Sequence, residues 1–279
     1  MGALPDLLEL DDLGDGRYRV HHPTESPEGR DVVFGGQLLA QMIMASDRAG
    51  GGTKDPKSLH AIFARAGTYA QPIELEVESL QAGRTWASDT VTARQGERLL
   101  SRGLVLAHAD EPDLMRHGPA MPEVPSPEDT PPGAGLGFPG TELRDIPDPP
   151  DAPGGVPTQL FWHRYGQKLD SVAANCAVLA WGTNGFLIGL AMRPHRDLVD
   201  ISQAHRTIST GVIAHTINFH ERIDVSGWLL VAQEATYAGR GRVHGRGLVF
   251  TRDGQLVATF TQDSMARGIE GELDPRRAM

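Results

Sequence analysis

Ser58-Leu59-His60-Ala61-Ile62-Phe63 and Ile213-Ala214-His215-Thr216-Ile217-Asn218-Phe219 open two runs of the same kind. Each is a stretch of alternating residues that ends in a glycine turn and a last strand. The turns are Arg94-Gln95-Gly96-Glu97 in the first run and Arg252-Asp253-Gly254-Gln255 in the second. The two histidines lie 155 residues apart and the two turn glycines 158 apart. One short insertion therefore separates the registers. Duplicated units of this sort pack side by side, and the active groups can differ between the copies.

Working outward, Val33 to Ala49 reads as a helix. Leu38, Leu39, Met42 and Ile43 recur at helical spacing, and Gly50-Gly51-Gly52 stops it. Four strands are predicted after it, near 57–65, 73–80, 85–94 and 98–108. In the second copy Gln159 to Tyr165 reads as a strand. Val172 to Met192 reads as one nearly all-apolar helix with Gly182 and Gly185 inside it. A helix apolar on every side must be buried. Three long strands follow, near 211–220, 228–246 and 247–266. Each unit is thus a helix followed by an antiparallel sheet, and wrapping the sheet around the helix hides the apolar surface. Joining the two sheets edge to edge hides the strand edges as well. The fold class is α+β: two long helices, each wrapped by an antiparallel β-sheet.

Between the copies, residues 110–157 hold 13 of the 20 prolines, and their acids outnumber their bases ten to two. Proline blocks helices and sheet ladders, so this stretch reads as an acidic linker. The expected division is 1–109, a linker over 110–157, and 158–279 carrying the site. A net charge of -10 argues against a nucleic-acid partner. The single cysteine, Cys176, excludes an internal disulfide and fits a reducing compartment. The N-terminal residues lack the basic stretch of a signal peptide, and no apolar run approaches the roughly 18 residues of a membrane helix. The expectation is a cytoplasmic protein with no membrane association. No zincin or cysteine-pair motif is present, so no metal site is expected. The absence of a G-x-S-x-G elbow argues against an α/β-hydrolase.

Five motifs then carry a family resemblance. Val33-Phe34-Gly35-Gly36-Gln37, His60-Ala61-Ile62-Phe63, Trp228-Leu229-Leu230, Asp253-Gly254-Gln255-Leu256-Val257-Ala258 and Gln262-Asp263-Ser264-Met265-Ala266-Arg267 fall in the expected order. Together they resemble the type II acyl-CoA thioesterases, the bacterial thioesterase II family. The resemblance implies a double hotdog, hydrolysis of fatty acyl-CoA to free acid and CoA, no cofactor, and a homo-oligomer. It also implies a site of an Asp, a Ser or Thr, and a Gln holding one water. By position Thr236 is the hydroxyl residue and Gln262 the amide. Ala214 occupies the place of the Asp and has no proton acceptor.

Thioester hydrolysis needs a positioned water, an acceptor for its proton and donors for the developing oxyanion. Backbone N–H groups at a helix start, near Gly35 or Gly36, suit the oxyanion. With Ala214 in place, weak or absent turnover is expected, and an Asp there is expected to raise it. The alternative is a non-catalytic acyl-CoA or acyl-group binding protein using the same cavity. Strand neighbours point to opposite faces. If position 214 faces the cavity, His215 faces away unless a bulge intervenes, and Asp263 meets the same objection beside Gln262. Arg240, Arg242, His244 and Arg246 share one face if 239–247 is a strand, and that face could meet CoA phosphates or simply be solvated. Strict alternation would put Thr236 on this arginine face too, which calls for a bulge near a glycine. Phe186 is a candidate for the acyl pocket. Cys176, inside the apolar helix, reads as core packing.

Overall fold

The computed structural model describes residues 8–20, 31–133, 140–147, 155–200 and 207–269. A single twelve-stranded sheet runs through both copies. Its strands are β1 (Leu10–Gly14), β2 (Arg17–Val20), β3 (Asp55–Phe63), β4 (Ile73–Ala82), β5 (Trp86–Gln95) and β6 (Arg98–His108), then β7 (Thr141–Asp145), β8 (Thr158–Tyr165), β9 (Ile208–Phe219), β10 (Leu229–Gly239), β11 (Arg242–Thr251) and β12 (Leu256–Gly268). The order across the sheet is β1-β2-β4-β5-β6-β3-β9-β12-β11-β10-β8-β7. All the pairings are antiparallel. The copies join through β3 and β9, whose register pairs His60 with Thr216, Ala61 with His215 and Ile62 with Ala214.

The first helix, α1 (Gly35–Ala49), packs its buried Leu38, Leu39, Met42, Ile43 and Ala45 against β3–β6. It ends before Gly51 and Gly52, whose φ values of 68° and 64° few other residues adopt at low cost. The second helical stretch is not one helix. It forms α2 (Val172–Gly182), breaks at Thr183–Phe186, and resumes as α3 (Leu187–Met192). Ser171 caps α2 by accepting from the Ala174 amide at 3.0 Å, a bond that satisfies one of the open donors of the first turn. α1 and α2 pack on each other, while α3 packs on β10–β12. Trp181, Phe260 and Leu39 are among the largest fully buried side chains. Each such side chain contributes roughly 1.5–3 kcal/mol by leaving water.

Taken from Val172 to His195, this helical region is 24 residues long and apolar enough to cross a membrane by composition. That departs from the expectation that no run would approach such a length. The physical reason is that a helix enclosed by a sheet must be apolar all round, as a membrane helix is, and most of this one is buried within the fold.

The strand predicted over 228–246 divides at Arg240-Gly241 into β10 and β11, so the second copy has four strands after its helix. Arg240 sits in the turn at φ 53° with Gly241 at φ 73°. It therefore leaves the strand face on which Arg242, His244 and Arg246 remain. A two-residue turn with both φ values positive favours Asn-Gly, and a side chain such as Arg costs about 1–2 kcal/mol in that region. Arg240→Asn is expected to stabilise by about 1 kcal/mol and to raise Tm by about 2–4 °C in scanning calorimetry. An unchanged or lower Tm would mean that Arg240 makes folded-state contacts worth the strain.

Part of the acidic linker is built into the fold. β7 extends the sheet beyond β8. Met121 and Val124 pack with Ile146 on Trp162, Leu230 and Phe250, on the sheet face away from the helices. The Trp162 indole donates to the Pro125 carbonyl at 2.9 Å, and Arg252 makes a two-pronged pair with Glu128 at 2.8 and 2.9 Å. This covers the outer face of the second copy. On the first copy Ile62 and Leu104 remain exposed.

Candidate active site

The centre of the sheet carries a polar row on the face that meets the helices. Gln262 on β12 pairs with Gly245 on β11 and with His215 on β9, and His215 pairs with Ala61 on β3. His215 and Gln262 are each 1% exposed. On β10 the ladder slips between Glu234 and Tyr237 opposite Gly245. This bulge falls where Thr236 needed one to leave the arginine face, and it puts Ala235 and Thr236 together across from Gly245. Ala235 is buried and Thr236 lies at the solvent end of the row. Its hydroxyl donates to the His244 carbonyl at 3.3 Å. A side chain on Gly245 would meet Leu187 and the Glu234 carbonyl, each at 2.7 Å, so a glycine is needed where α3 presses on the sheet.

Ala214 does not lie on this row. It pairs with Asp263 and Ile62. Ile62 is 62% exposed, and Asp263 faces outward to His244 Nδ1 at 3.2 Å and Arg242 at 3.9 Å. The parity expectation is thereby reversed: His215 shares a face with Gln262, and Ala214 shares one with Asp263. The ladder between β9 and β12 slips at Ile213, between the pairs Asp263–Ala214 and Ser264–Val212. The two opening histidines also face opposite ways, His60 exposed and His215 buried. The register of β3 against β9 gives that result, because it pairs His215 with Ala61 and His60 with Thr216.

The break in the helix supplies the rest of the site. Thr183 caps the end of α2, and its hydroxyl donates to the Ala180 carbonyl at 3.1 Å while meeting His215 Nε2 at 3.1 Å. Gln262 Nε2 donates to Ser264 Oγ at 3.0 Å. Next to Thr183, the Asn184 carboxamide lies against the start of α1, where a Cβ on Gly35 would stand 2.8 Å from Asn184 Nδ2. A Cβ on Gly36 would stand 2.5 Å from the Trp181 carbonyl. The glycine pair therefore lets the start of α1 meet the end of α2 closely, with opposite ends of the two helix dipoles facing each other. Phe34 at the α1 start makes no side-chain cap and the Gln37 amide is bonded to the Phe34 carbonyl at 3.0 Å, so the candidates for a developing negative charge are the Gly35 and Gly36 amides.

Burial dominates the electrostatics. It pushes the His215 imidazole down to about 4, against a weaker upward pull from the neighbouring Gln262 carboxamide. His163, under the same helix, is also pushed down to about 4 by burial. The Cys176 thiol is buried and pushed far up, which makes it inert. The buried atoms His215 Nδ1, Gln262 Oε1 and Asn184 Oδ1 have no hydrogen-bond partner, a rare condition for polar atoms inside a protein.

The other expected residues lie around this centre. Phe186, in the helix break, packs on Phe161 with ring centroids 4.8 Å apart. Arg240 occupies the β10–β11 turn, with Arg267 lying over Gly241. Arg242 and His244 share Asp263, and Arg246 pairs with Glu234. Among the described residues no group of three or more His, Cys, Asp or Glu is arranged to hold a metal ion. Thr183, Asn184 and Ser264 were not anticipated. The signal for the first two was a polar pair flanked by Gly182 and Gly185 in an otherwise apolar helix.

Comparison with known proteins agrees with the fold. The chain matches the acyl-CoA thioesterase N-terminal domain over residues 22–109 and the acyl-CoA thioesterase C-terminal domain over 118–266. It is 29% identical to acyl-CoA thioesterase 2 of Haemophilus influenzae, over 96% of this chain and 98% of that one. It is 26% identical to mouse acyl-coenzyme A thioesterase 8, over 94% and 88%. Among solved structures it is similar to acyl-CoA thioesterase II TesB2 of Mycobacterium marinum, with a TM-score of 0.80, 25% identity, and coverage of 96% and 100%. A hot dog fold protein from Alicyclobacillus acidocaldarius shares the fold at a TM-score of 0.78 and 20% identity, over 97% and 100%.

Proposed function

The chain belongs to the acyl-CoA thioesterase family, with the N- and C-terminal domains in one polypeptide, and from that premise we propose that it hydrolyses fatty acyl-CoA to free acid and CoA, slowly. The observation that carries the reading is the row Thr236–Gly245–Gln262–His215, open to solvent at Thr236 and buried at Gln262 and His215. Gln262 orients a water through its carbonyl oxygen, and Thr236 bonds to substrate or water at the open end. The first-turn amides of α1 take the oxyanion. Phe186 lines the acyl side, and Arg240 with Arg242 meets the CoA phosphates. Hydrolysis of a thioester by water needs no redox group, and the family reading makes a homo-oligomer the expected assembly. Turnover is slow because no carboxylate stands on the row, and general-base help is worth about 10²–10⁴ in rate.

The methyl group of Ala214 favours a second reading, an acyl-CoA binding protein without turnover. A thiol-release assay over several chain lengths, with calorimetric binding of a non-hydrolysable thioether analogue, separates the two. Thiol release supports hydrolysis, binding alone supports the second reading, and an assay that shows neither overturns both.

Ala214→Asp bears on the same point. A carboxylate grown from β9 at 214 would stand across the ladder from Asp263, where like charges destabilise. The register thus argues against the simple rescue that the family pattern suggests. The variant is expected to gain no more than a few-fold in kcat and to unfold at lower urea. A gain near the ~10² of a general base would put position 214 in the site after all.

A further inference from the structure

We propose that His215 is the catalytic base of this protein: its Nδ1 takes one proton of the attacking water, while Gln262 Oε1 accepts a hydrogen bond from the other. The proposal rests on the hydrolase reading and assigns its proton acceptor.

The hydrogen bonds fix the direction of every group involved. The Thr183 hydroxyl gives its proton to the Ala180 carbonyl, so the 3.1 Å contact with His215 Nε2 requires the imidazole to donate there. The ring proton of a neutral imidazole is then on Nε2, and Nδ1 carries the lone pair. The Gln262 amide nitrogen is turned to Ser264 Oγ, which leaves Oε1 as an acceptor as well. His215 Nδ1 and Gln262 Oε1 therefore belong to directly paired residues, are both buried, and have no partner. Two neighbouring acceptors without a donor suit a molecule that carries two hydrogens on one oxygen. The Phe260 ring is stacked on the imidazole at 5.8 Å and 14°, and Thr183 pins its far side, so the ring is held in place.

The chemistry balances with water as the only co-reactant. One water proton passes to His215 Nδ1 as the oxygen bonds to the thioester carbonyl carbon. The carbonyl oxygen becomes an oxyanion facing the α1 amides. The carbon–sulfur bond then breaks with its electron pair on sulfur, and the imidazolium returns its proton to the thiolate. An imidazole held near pH 4 has about the proton affinity of an ordinary carboxylate. It stands in only in part for the acid that the family pattern places one residue earlier, because burial makes the imidazolium costly to form, and turnover stays slow.

The test has two arms on the full-length protein. Imidazole ¹⁵N spectra, with His215 assigned by its loss in His215→Asn, are expected to show the Nε2–H form at pH 7, whatever the variant does to folding. An Nδ1–H form would overturn the proposal. In single-turnover assays with acyl-CoA, His215→Asn is expected to lose at least about 100-fold in kcat while binding the thioether analogue within about threefold of the parent. Thr183→Val, which frees Nε2, is expected to lose about tenfold and to show mixed tautomers. A His215→Asn protein that keeps parental kcat would overturn the base assignment. So would a parent that binds the analogue without releasing thiol, although the binding reading would then stand. A parent that fails even to bind would remove the hydrolase reading itself.

Discussion

Acidification from pH 7 to pH 4.5 is expected to cost this protein about 5 kcal/mol of stability. His163 and His215 are both buried, and burial holds each near 4 instead of the ordinary 6.5. The unfolded chain takes up both protons on passing 6.5, whereas the folded chain takes them up only near 4. Their contribution is therefore fully present above pH 6.5, shrinks as the pH falls, and is gone near 4. At about 1.4 kcal/mol per unit, each histidine accounts for about 3 kcal/mol, out of a typical total of about 5–15 kcal/mol. His220 is shifted the same way and adds to the loss. Asp47 is shifted upward by burial and opposes it. Urea midpoints at pH 7, 5.5 and 4.5 should fall steadily, and His163→Gln should flatten the curve. Equal midpoints at pH 7 and 4.5 would mean that both imidazoles reach water.

Gly36→Ala is expected to be destabilising although alanine is the better helix former. The gain in helix propensity is about 0.5–1 kcal/mol. Against it, the new methyl would stand 2.5 Å from the Trp181 carbonyl oxygen and 2.5 Å from the Phe34 ring. The ring can swing aside, but the carbonyl belongs to the α2 backbone, so the two helices must separate. Overpacking of this kind costs about 1–3 kcal/mol, and the net loss is about 1–2 kcal/mol. The movement would also draw the start of α1 away from Asn184, so turnover should fall along with the urea midpoint. A variant more stable than the parent would show that the helices have room to spare.

The broad architecture was legible because it rests on apolar periodicity. Leu38, Leu39, Met42 and Ile43 marked α1, and the alternation after Ser58 and Ile213 marked the central strands. The features that failed to show are those that a pattern of period two or 3.6 cannot hold. The Arg240-Gly241 turn interrupts a run whose residues all suit a strand. The break at Thr183 lies inside a helix apolar enough to look continuous. The slip at Ile213 matters most for the site. Thr236 and Gln262 were found from their motifs, and the structure brings them to one row. The faces of Ala214 and His215 were read from the condition that position 214 meets the cavity, and the ladder puts His215 with Gln262 there instead. Side-chain networks such as Thr183–His215 join residues 32 apart in sequence, and no local pattern encodes them.

The five ladder pairs between β3 and β9 make the two halves one hydrogen-bonded body, whatever their separate ancestry. Expressing either half alone would leave a long central strand with a bare row of amides and carbonyls, a template for any other chain. Such fragments should be insoluble or should pair with copies of themselves. Co-expressed, they should reassemble, which makes this seam a natural place to divide the protein for complementation experiments.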